Sequence, residues 1–207
     1  QFMAQHPSFA SSDFSRLVIG GVGGAPMPVP LLKVWEERGV ALQQGYGMTE
    51  TSPAVLTLDK EDAVRKAGSS GKPVLHTEVR IVRPDGTDAE VGELGELWVK
   101  GPNVMLGYYR AENPGVLEPP ENGWHDTGDI VTIDAQGFIA IRGRAKRFAK
   151  IGGEMVSLSA VEAMSAELWP SVISVVGVLL KKKKGECLIL LIPEVSATRE
   201  QLIKHGK

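Results

Sequence analysis

Cysteine is almost absent. Cys187 is the only one in 207 residues, so no disulfide can form within the chain. It lies in "CLILLI", which predicts a buried strand position rather than a reactive thiol, and a reducing, cytoplasmic setting. Long apolar runs are missing too. None approaches the roughly 18 residues of a membrane-spanning helix. The opening "QFMAQHPSFA" has neither the basic start nor the apolar centre of a secretory leader. Excess charge of one sign is also lacking, with 23 Lys and Arg against 25 Asp and Glu. That balance gives no general attraction to nucleic acid and argues against a nucleic-acid-binding module. The four histidines, His6, His76, His125 and His205, are scattered, and with a single cysteine they form no zinc pattern. His125 adjoins a "DTGD" segment and reads as structural or substrate-adjacent rather than as a general base. H-E-x-x-H and G-x-S-x-G are absent, as are a Walker loop and a complete G-x-G-x-x-G.

What is present is ordered patterning. Apolar content of 43% suits a globular protein. "RLVIGG", residues 16–21, predicts a buried strand running into a glycine loop. "MPVPLLKVWEERG" predicts a helix with Val29, Leu32, Val34 and Trp35 on its apolar face and Gly39 as its stop. "VALQQGYG" predicts a second strand and loop, which makes a βαβ unit with parallel strands. After about residue 68 the period becomes two. "TEVRIV", "GELWVKG" and "GFIAIRG" alternate apolar and polar residues between turn signals, as antiparallel strands do. Beyond about residue 144 come a short strand, Gly152 and Gly153. "SLSAVEAMSAELW" then reads as a helix that Ser157 or Ser159 caps, with Glu162 placed to complete a capping box on Ser159. "VISVVGVLL" and "ECLILLIP" are apolar strands joined by a lysine run at residues 181–184, which reads as a solvated turn. "SATREQLIKHGK" reads as a closing helix. The expected class is α/β, or α+β overall. Residues 1–68 form a partial βαβ nucleotide-binding part, residues 69–143 an antiparallel barrel-like part, and residues 144–207 a small mobile α+β domain.

Three segments carry more chemistry than turns require. "GGVGGAPMP" and "GYGMTE" (residues 45–50) follow predicted strands, where glycine lets backbone N–H groups approach a ligand. In the second, Tyr46 offers a face for a base, Thr49 a hydroxyl for a phosphate and Glu50 a carboxylate for Mg²⁺. In "DTGD", Asp129 stands at a glycine bend before a strand and can accept two ribose hydroxyls or serve only the turn. "GRAKRFAKIGGEMVSL", residues 143–158, crowds Arg144, Lys146, Arg147 and Lys150 ahead of a Gly-Gly pair.

The order "GGAP", "GYGMTE", "GELWVKG…GYY", "WHDTGD", "GRAKRFAKIGGE" resembles the adenylate-forming superfamily. The resemblance covers nearly the whole chain, from about residue 16. Within the superfamily, residues 143–158 resemble the acyl-ACP synthetase half of bacterial bifunctional acyl-ACP synthetase/2-acylglycerophosphoethanolamine acyltransferases. The resemblance implies roles. Gly24, Ala25 and Pro26 would line an adenine pocket, and Tyr46 would stack on the base. Thr49 would contact the α-phosphate, Glu50 would hold Mg²⁺, Asp129 would bind the ribose and Arg144 the ribose or phosphate. Lys146 would be a hinge, and Gly152 and Gly153 would line a thiol channel. ATP and Mg²⁺ would convert a fatty acid or other carboxylate to an acyl-adenylate. Its acyl group would pass to the phosphopantetheine thiol of acyl carrier protein, or to coenzyme A. Met48 would border the acyl pocket, and Arg147 and Lys150 would be solvated or face the carrier. A non-catalytic nucleotide-binding domain is the alternative of another class. The family's phosphate loop and C-terminal lysine do not occur in these residues, nor does the acyltransferase signature H-x-x-x-x-D. The chain therefore reads as a central-to-C-terminal piece that forms little adenylate in isolation. An upstream acyltransferase would imply phospholipid acyl recycling at the inner face of the bacterial inner membrane.

Overall fold

The computed structural model describes residues 2–25, 27–151, 154–168, 175–181 and 185–191. Pro26, Gly152, Gly153, residues 182–184 of the lysine turn and the expected closing helix lie outside them. Among the described residues no helix is long and apolar enough to cross a membrane. The chain divides into two compact units, residues 1–141 and 142–207.

The first unit begins with helix α1 (Phe2–Gln5) and a 3-10 turn (Pro7–Ser11). Phe9 and Phe14 pack on Trp35 with ring centroids 4.9 and 5.5 Å away. Strand β1 (Gly20–Val22), helix α2 (Val29–Glu36) and strand β2 (Leu42–Gly47) form the expected βαβ unit. β1 and β2 pair in parallel from Gly20↔Leu42 to Val22↔Gln44. Proline is tolerated in the first turn of α2, where no intrahelical N–H bond is lost. Leu32 and Trp35 are buried, and Gly39, at φ +77, follows the helix as its stop. Two expectations fail here. Residues 16–19 are not strand, and Leu17, Val18 and Ile19 stand exposed. The cause is position: these residues run into β1, which is the edge strand of its sheet. Val29 and Val34 are likewise exposed, so the apolar face of α2 narrows to Leu32 and Trp35. Strands β3 (Ala54–Thr57) and β4 (Lys72–Pro73) extend the sheet antiparallel, in the order β1-β2-β3-β4.

The antiparallel section follows with β5 (Glu78–Val82) and β6 (Gly95–Lys100), then a small hairpin of β7 (Tyr108–Tyr109) and β8 (Leu117–Glu118). It finishes with β9 (His125–Ile133) and β10 (Ile139–Arg144). Its main sheet runs β10-β9-β6-β5 and, among the described residues, does not close into a barrel. Alternation in β6 buries Gly95, Leu97 and Val99 and leaves Glu96, Trp98 and Lys100 half-buried. One core joins the two sheets. Val55 and Leu56 of β3 pack with Ile81, Leu97, Val99, Val131 and Ile139. The Gly71↔Ile139 bridge and the Ser69 hydroxyl, which donates to the Ile139 carbonyl at 2.8 Å, tie the same junction.

The second unit holds hairpin β11 (Phe148–Ile151)/β12 (Glu154–Ser157), helix α3 (Leu158–Leu168) and hairpin β13 (Val175–Lys181)/β14 (Gly185–Leu191). Its core contains Ala149, Leu158 and Val176. Ser157, not Ser159, caps α3: its Oγ accepts the Ala160 N–H at 3.2 Å. Glu162 therefore lies too far along the helix to complete a capping box. Its Oε1 accepts the Val176 N–H at 2.9 Å and its Oε2 accepts from Arg147 at 2.6 Å, which holds the carboxyl below its usual range. Cys187 is a free thiol, half-buried rather than buried, opposite Leu179 in the hairpin.

Candidate active site

Parallel strands place their C-terminal ends at one edge of a sheet, and loops leaving that edge are the ordinary ligand-binding position in α/β folds. Both glycine loops leave the β1/β2 pair there. The first loop runs beside β2: a Cβ on Gly23 would stand 3.0 Å from the carbonyl oxygen of Gly45, which with Tyr46 and Gly47 lies inside the strand and not in the expected loop. Gly24 has φ +80, and both Gly24 and Ala25 are exposed. The β2 loop then turns through a 3-10 turn (Thr49–Thr51). Thr49 is exposed and Glu50 half-buried. Thr51 is fully buried and organises the turn, its hydroxyl taking the Met48 N–H at 3.1 Å and reaching the Pro53 carbonyl at 3.0 Å.

Tyr46 and Asp129, 83 positions apart, meet directly. The Tyr46 hydroxyl donates to Asp129 Oδ2 at 2.5 Å, while its ring packs on the core. The "DTGD" segment is not a bend ahead of a strand. It lies within β9, where the register against β6 shifts between Glu96 and Trp98 and Gly128 takes φ +66. That irregularity is held locally. Thr127 donates to the Leu97 carbonyl at 2.7 Å, its hydroxyl oxygen accepts the Asp129 N–H at 3.2 Å, and Asp126 accepts the Gly128 N–H at 2.8 Å. Asp129 is thus buried and aimed by a bulge. Glu96 is a further carboxyl at this spot. Burial raises it above the ordinary carboxylate range, and the charges of Asp126 and, to a lesser degree, Asp129 push it the same way.

Glu50 has two partners that its own loop does not supply. Its carbonyl accepts the Met105 N–H at 2.8 Å, and its Oε1 accepts the Tyr108 hydroxyl at 2.8 Å. Burial, then the Glu50 carboxylate, pushes the Tyr108 phenol up. Asn103 Nδ2 donates to the Thr51 and Ala54 carbonyls at 3.2 and 2.9 Å. His125 is buried in β9, with its ring 6.5 Å from that of Tyr108. Sequence reasoning assigned nothing to Thr51, Asn103, Tyr108 or Glu96. The usable signal was the "GYY" of the third motif, which contains Tyr108. Among the described residues no group of three or more His, Cys, Asp or Glu could hold a metal by itself. A lone accessible carboxylate fits Mg²⁺ that arrives on phosphates, because that ion commonly takes one or two carboxylates plus substrate oxygens.

Arg144 and Lys146 belong to the second unit. Arg144 ends β10 and precedes a 3-10 turn (Ala145–Arg147), and both side chains are exposed. Arg147 is the ion-pair partner of Glu162 at 2.6 Å, and its side chain stays 38% exposed. Lys150 is exposed, and its backbone N–H bonds to Glu186.

A parallel pair followed by two turns, with a tyrosine paired to an aspartate and a glutamate in the turn after the second strand, is an α/β arrangement with its polar groups gathered at the carboxyl edge of the sheet. The chain belongs to the family of AMP-binding enzymes, which matches residues 1–109, within the adenylate-forming superfamily. It is 41% identical over 162 residues to feruloyl-CoA synthase of Amycolatopsis sp, covering 78% of this chain and 33% of that protein. It is 37% identical over 210 residues to the long-chain-fatty-acid–CoA ligase of Yersinia pestis, covering 98% and 36%. The fold matches o-succinylbenzoate coenzyme A synthetase from Bacillus subtilis in complex with ATP and magnesium ion, at TM-score 0.72 and 36% identity, covering 90% of this chain and 39% of that one. The chain spans about a third of the length of the curated relatives it matches.

Proposed function

We propose that this chain is the nucleotide-holding part of an ATP-dependent acyl-activating ligase. The Tyr46–Asp129 hydrogen bond at the mouth of the β1/β2 loops carries the reading, because it joins the base-stacking ring to the ribose carboxylate. Gly24, Ala25 and Pro26 line the adenine edge. Thr49 offers its hydroxyl to the α-phosphate, and Glu50 takes Mg²⁺ with the phosphate oxygens. Arg144 reaches the ribose or phosphate. Mg²⁺ supplies charge neutralisation on the phosphates when bound. A substrate carboxylate oxygen attacks the α-phosphorus, the bond to pyrophosphate breaks, and an acyl-adenylate remains. A thiol then attacks the acyl carbon, forming a thioester and releasing AMP. Lys146 is the hinge between these half-reactions, and Gly152 and Gly153 border the thiol path. Residues 1–68, 69–143 and 144–207 are the corresponding functional parts.

Two acceptors have support. The names of the relatives favour coenzyme A, with fatty or aromatic carboxylates as substrates. The text of residues 143–158 favours acyl carrier protein, a setting at the inner face of the bacterial membrane and phospholipid acyl recycling, with exposed Lys150 facing an acidic carrier. Calorimetric titration of AMP tests the nucleotide site. The unchanged chain binds, and Asp129→Asn lowers affinity about tenfold or more, since it removes one charged acceptor of ribose hydroxyls. Equal binding by both proteins rejects the assignment. In a complete enzyme carrying this sequence, carrier protein and coenzyme A offered together separate the two acceptors by which thioester forms.

A further inference from the structure

The Tyr108 hydroxyl bonds the Glu50 carboxylate from outside the β2 loop. We propose that Tyr108 is the positioning residue of Glu50, holding its carboxylate in the rotamer that meets a Mg²⁺–phosphate; this rests on the metal role proposed for Glu50.

The segment at residues 103–108 is fastened to the Glu50 loop along its length. Asn103 Nδ2 donates to the Thr51 and Ala54 carbonyls, the Met105 N–H donates to the Glu50 carbonyl at 2.8 Å, and the Tyr108 hydroxyl donates to Glu50 Oε1 at 2.8 Å. Tyr108 is itself fixed from several sides. It pairs with Glu118 in the β7/β8 hairpin, and the preceding Gly107, at φ +154, lets the chain pass so close that a Cβ there would lie 2.3 Å from the Glu118 carbonyl oxygen. The Arg110 guanidinium lies 5.3 Å from the Tyr108 ring centroid, and Arg110 is paired with Glu118 at 2.7 Å.

The chemistry of the donor matters. A glutamate side chain has several rotatable bonds, and ordering them when the metal arrives would reduce affinity. A donor already in place removes part of that cost. A phenol does so without cancelling the carboxylate charge that a hard cation needs, whereas a lysine or arginine in its place would compete with the metal. Arg110, beside the Tyr108 ring, is paired with Glu118. The hydroxyl engages Oε1 as a neutral donor.

ATP titrated into the full chain in excess Mg²⁺, and again in EDTA, tests this. The variants are Tyr108→Phe, Glu50→Gln and, as control, Tyr109→Phe, whose ring is 72% exposed. Tyr108→Phe is expected to weaken the Mg²⁺-dependent part of ATP binding about threefold to tenfold, the range of one ordinary hydrogen bond. Its binding in EDTA and its melting temperature stay at the unchanged chain's values, and Tyr109→Phe changes nothing. Equal losses with and without metal, or a lowered melting temperature, would mean that Tyr108 only braces the hairpin, which overturns the proposal. Unchanged Mg²⁺ dependence in Tyr108→Phe, with dependence lost in Glu50→Gln, overturns the positioning role and leaves the nucleotide site standing. Dependence retained in Glu50→Gln overturns the metal role and this proposal with it, as does a chain that binds no ATP.

Discussion

Gly47 has no room for a side chain. A Cβ there would stand 1.4 Å from the Pro53 carbonyl oxygen, because the chain turns back through the 3-10 turn and passes under its own strand. Gly21, in β1, meets nothing within 4 Å. Gly47→Ala is therefore expected to cost on the order of 3 kcal/mol and to displace Thr49 and Glu50, the usual scale for forcing atoms into a filled space. Gly21→Ala should stay within about 0.5 kcal/mol. Thermal unfolding of both variants checks this, and similar melting temperatures would contradict it. At this scale the sequence singles out Tyr46, Thr49, Glu50 and Asp129 by residue type, and the fold brings Tyr46 and Asp129 together. The supports of the turn were not legible. Asn103 and Thr51 read as ordinary polar residues until the fold brings 103 beside 51 and 54.

At the scale of elements, two carboxyls of the antiparallel sheet respond oppositely to pH. Asp134 closes the β9/β10 turn. The Lys66 ammonium beside it and the N–H groups of Phe138 and Gln136 hold it down at about 2. Its contribution is present above the ordinary carboxylate value and disappears as pH falls through about 2. Glu96 is raised by burial and by Asp126, so its neutral form suits the folded state, and a penalty appears as pH rises through its elevated value. Asp134→Asn should therefore destabilise at pH 7 and matter little near pH 2. Glu96→Gln should stabilise at pH 7, with the gain vanishing in acid. Denaturant melts of each variant across that range measure both signs, and parallel pH profiles for the two would refute the assignment. The strands of the sheet were visible as alternation and turn signals. The bulge that aims Asp129 was not, since "DTGD" reads equally well as a bend before a strand or as an irregularity inside one.

For the whole molecule, the informative feature is that the described buried residues include two separate core clusters. One contains Val55, Leu56, Ile81, Leu97, Val99, Val131 and Ile139; the other contains Ala149, Leu158 and Val176. Leu97→Ala should cost about 2–5 kcal/mol in the first unit alone. Val176→Ala should weaken only the second. Scanning calorimetry is expected to show two transitions that the variants lower one at a time, and a single transition lowered by both would contradict independence. The sequence by itself determined the family and much of the alternation of elements, because motif order, periodicity and turn residues are local. It also supported a strand boundary that failed, since whether Leu17, Val18 and Ile19 are buried depends on what lies beyond the β1 edge. Only the tertiary structure decided that Tyr46 bonds Asp129, that Tyr108 bonds Glu50 and that Arg147 belongs to Glu162. Each is a contact between residues 15 to 83 positions apart, and such pairings follow from how sheets and helices pack, not from the residues on either side.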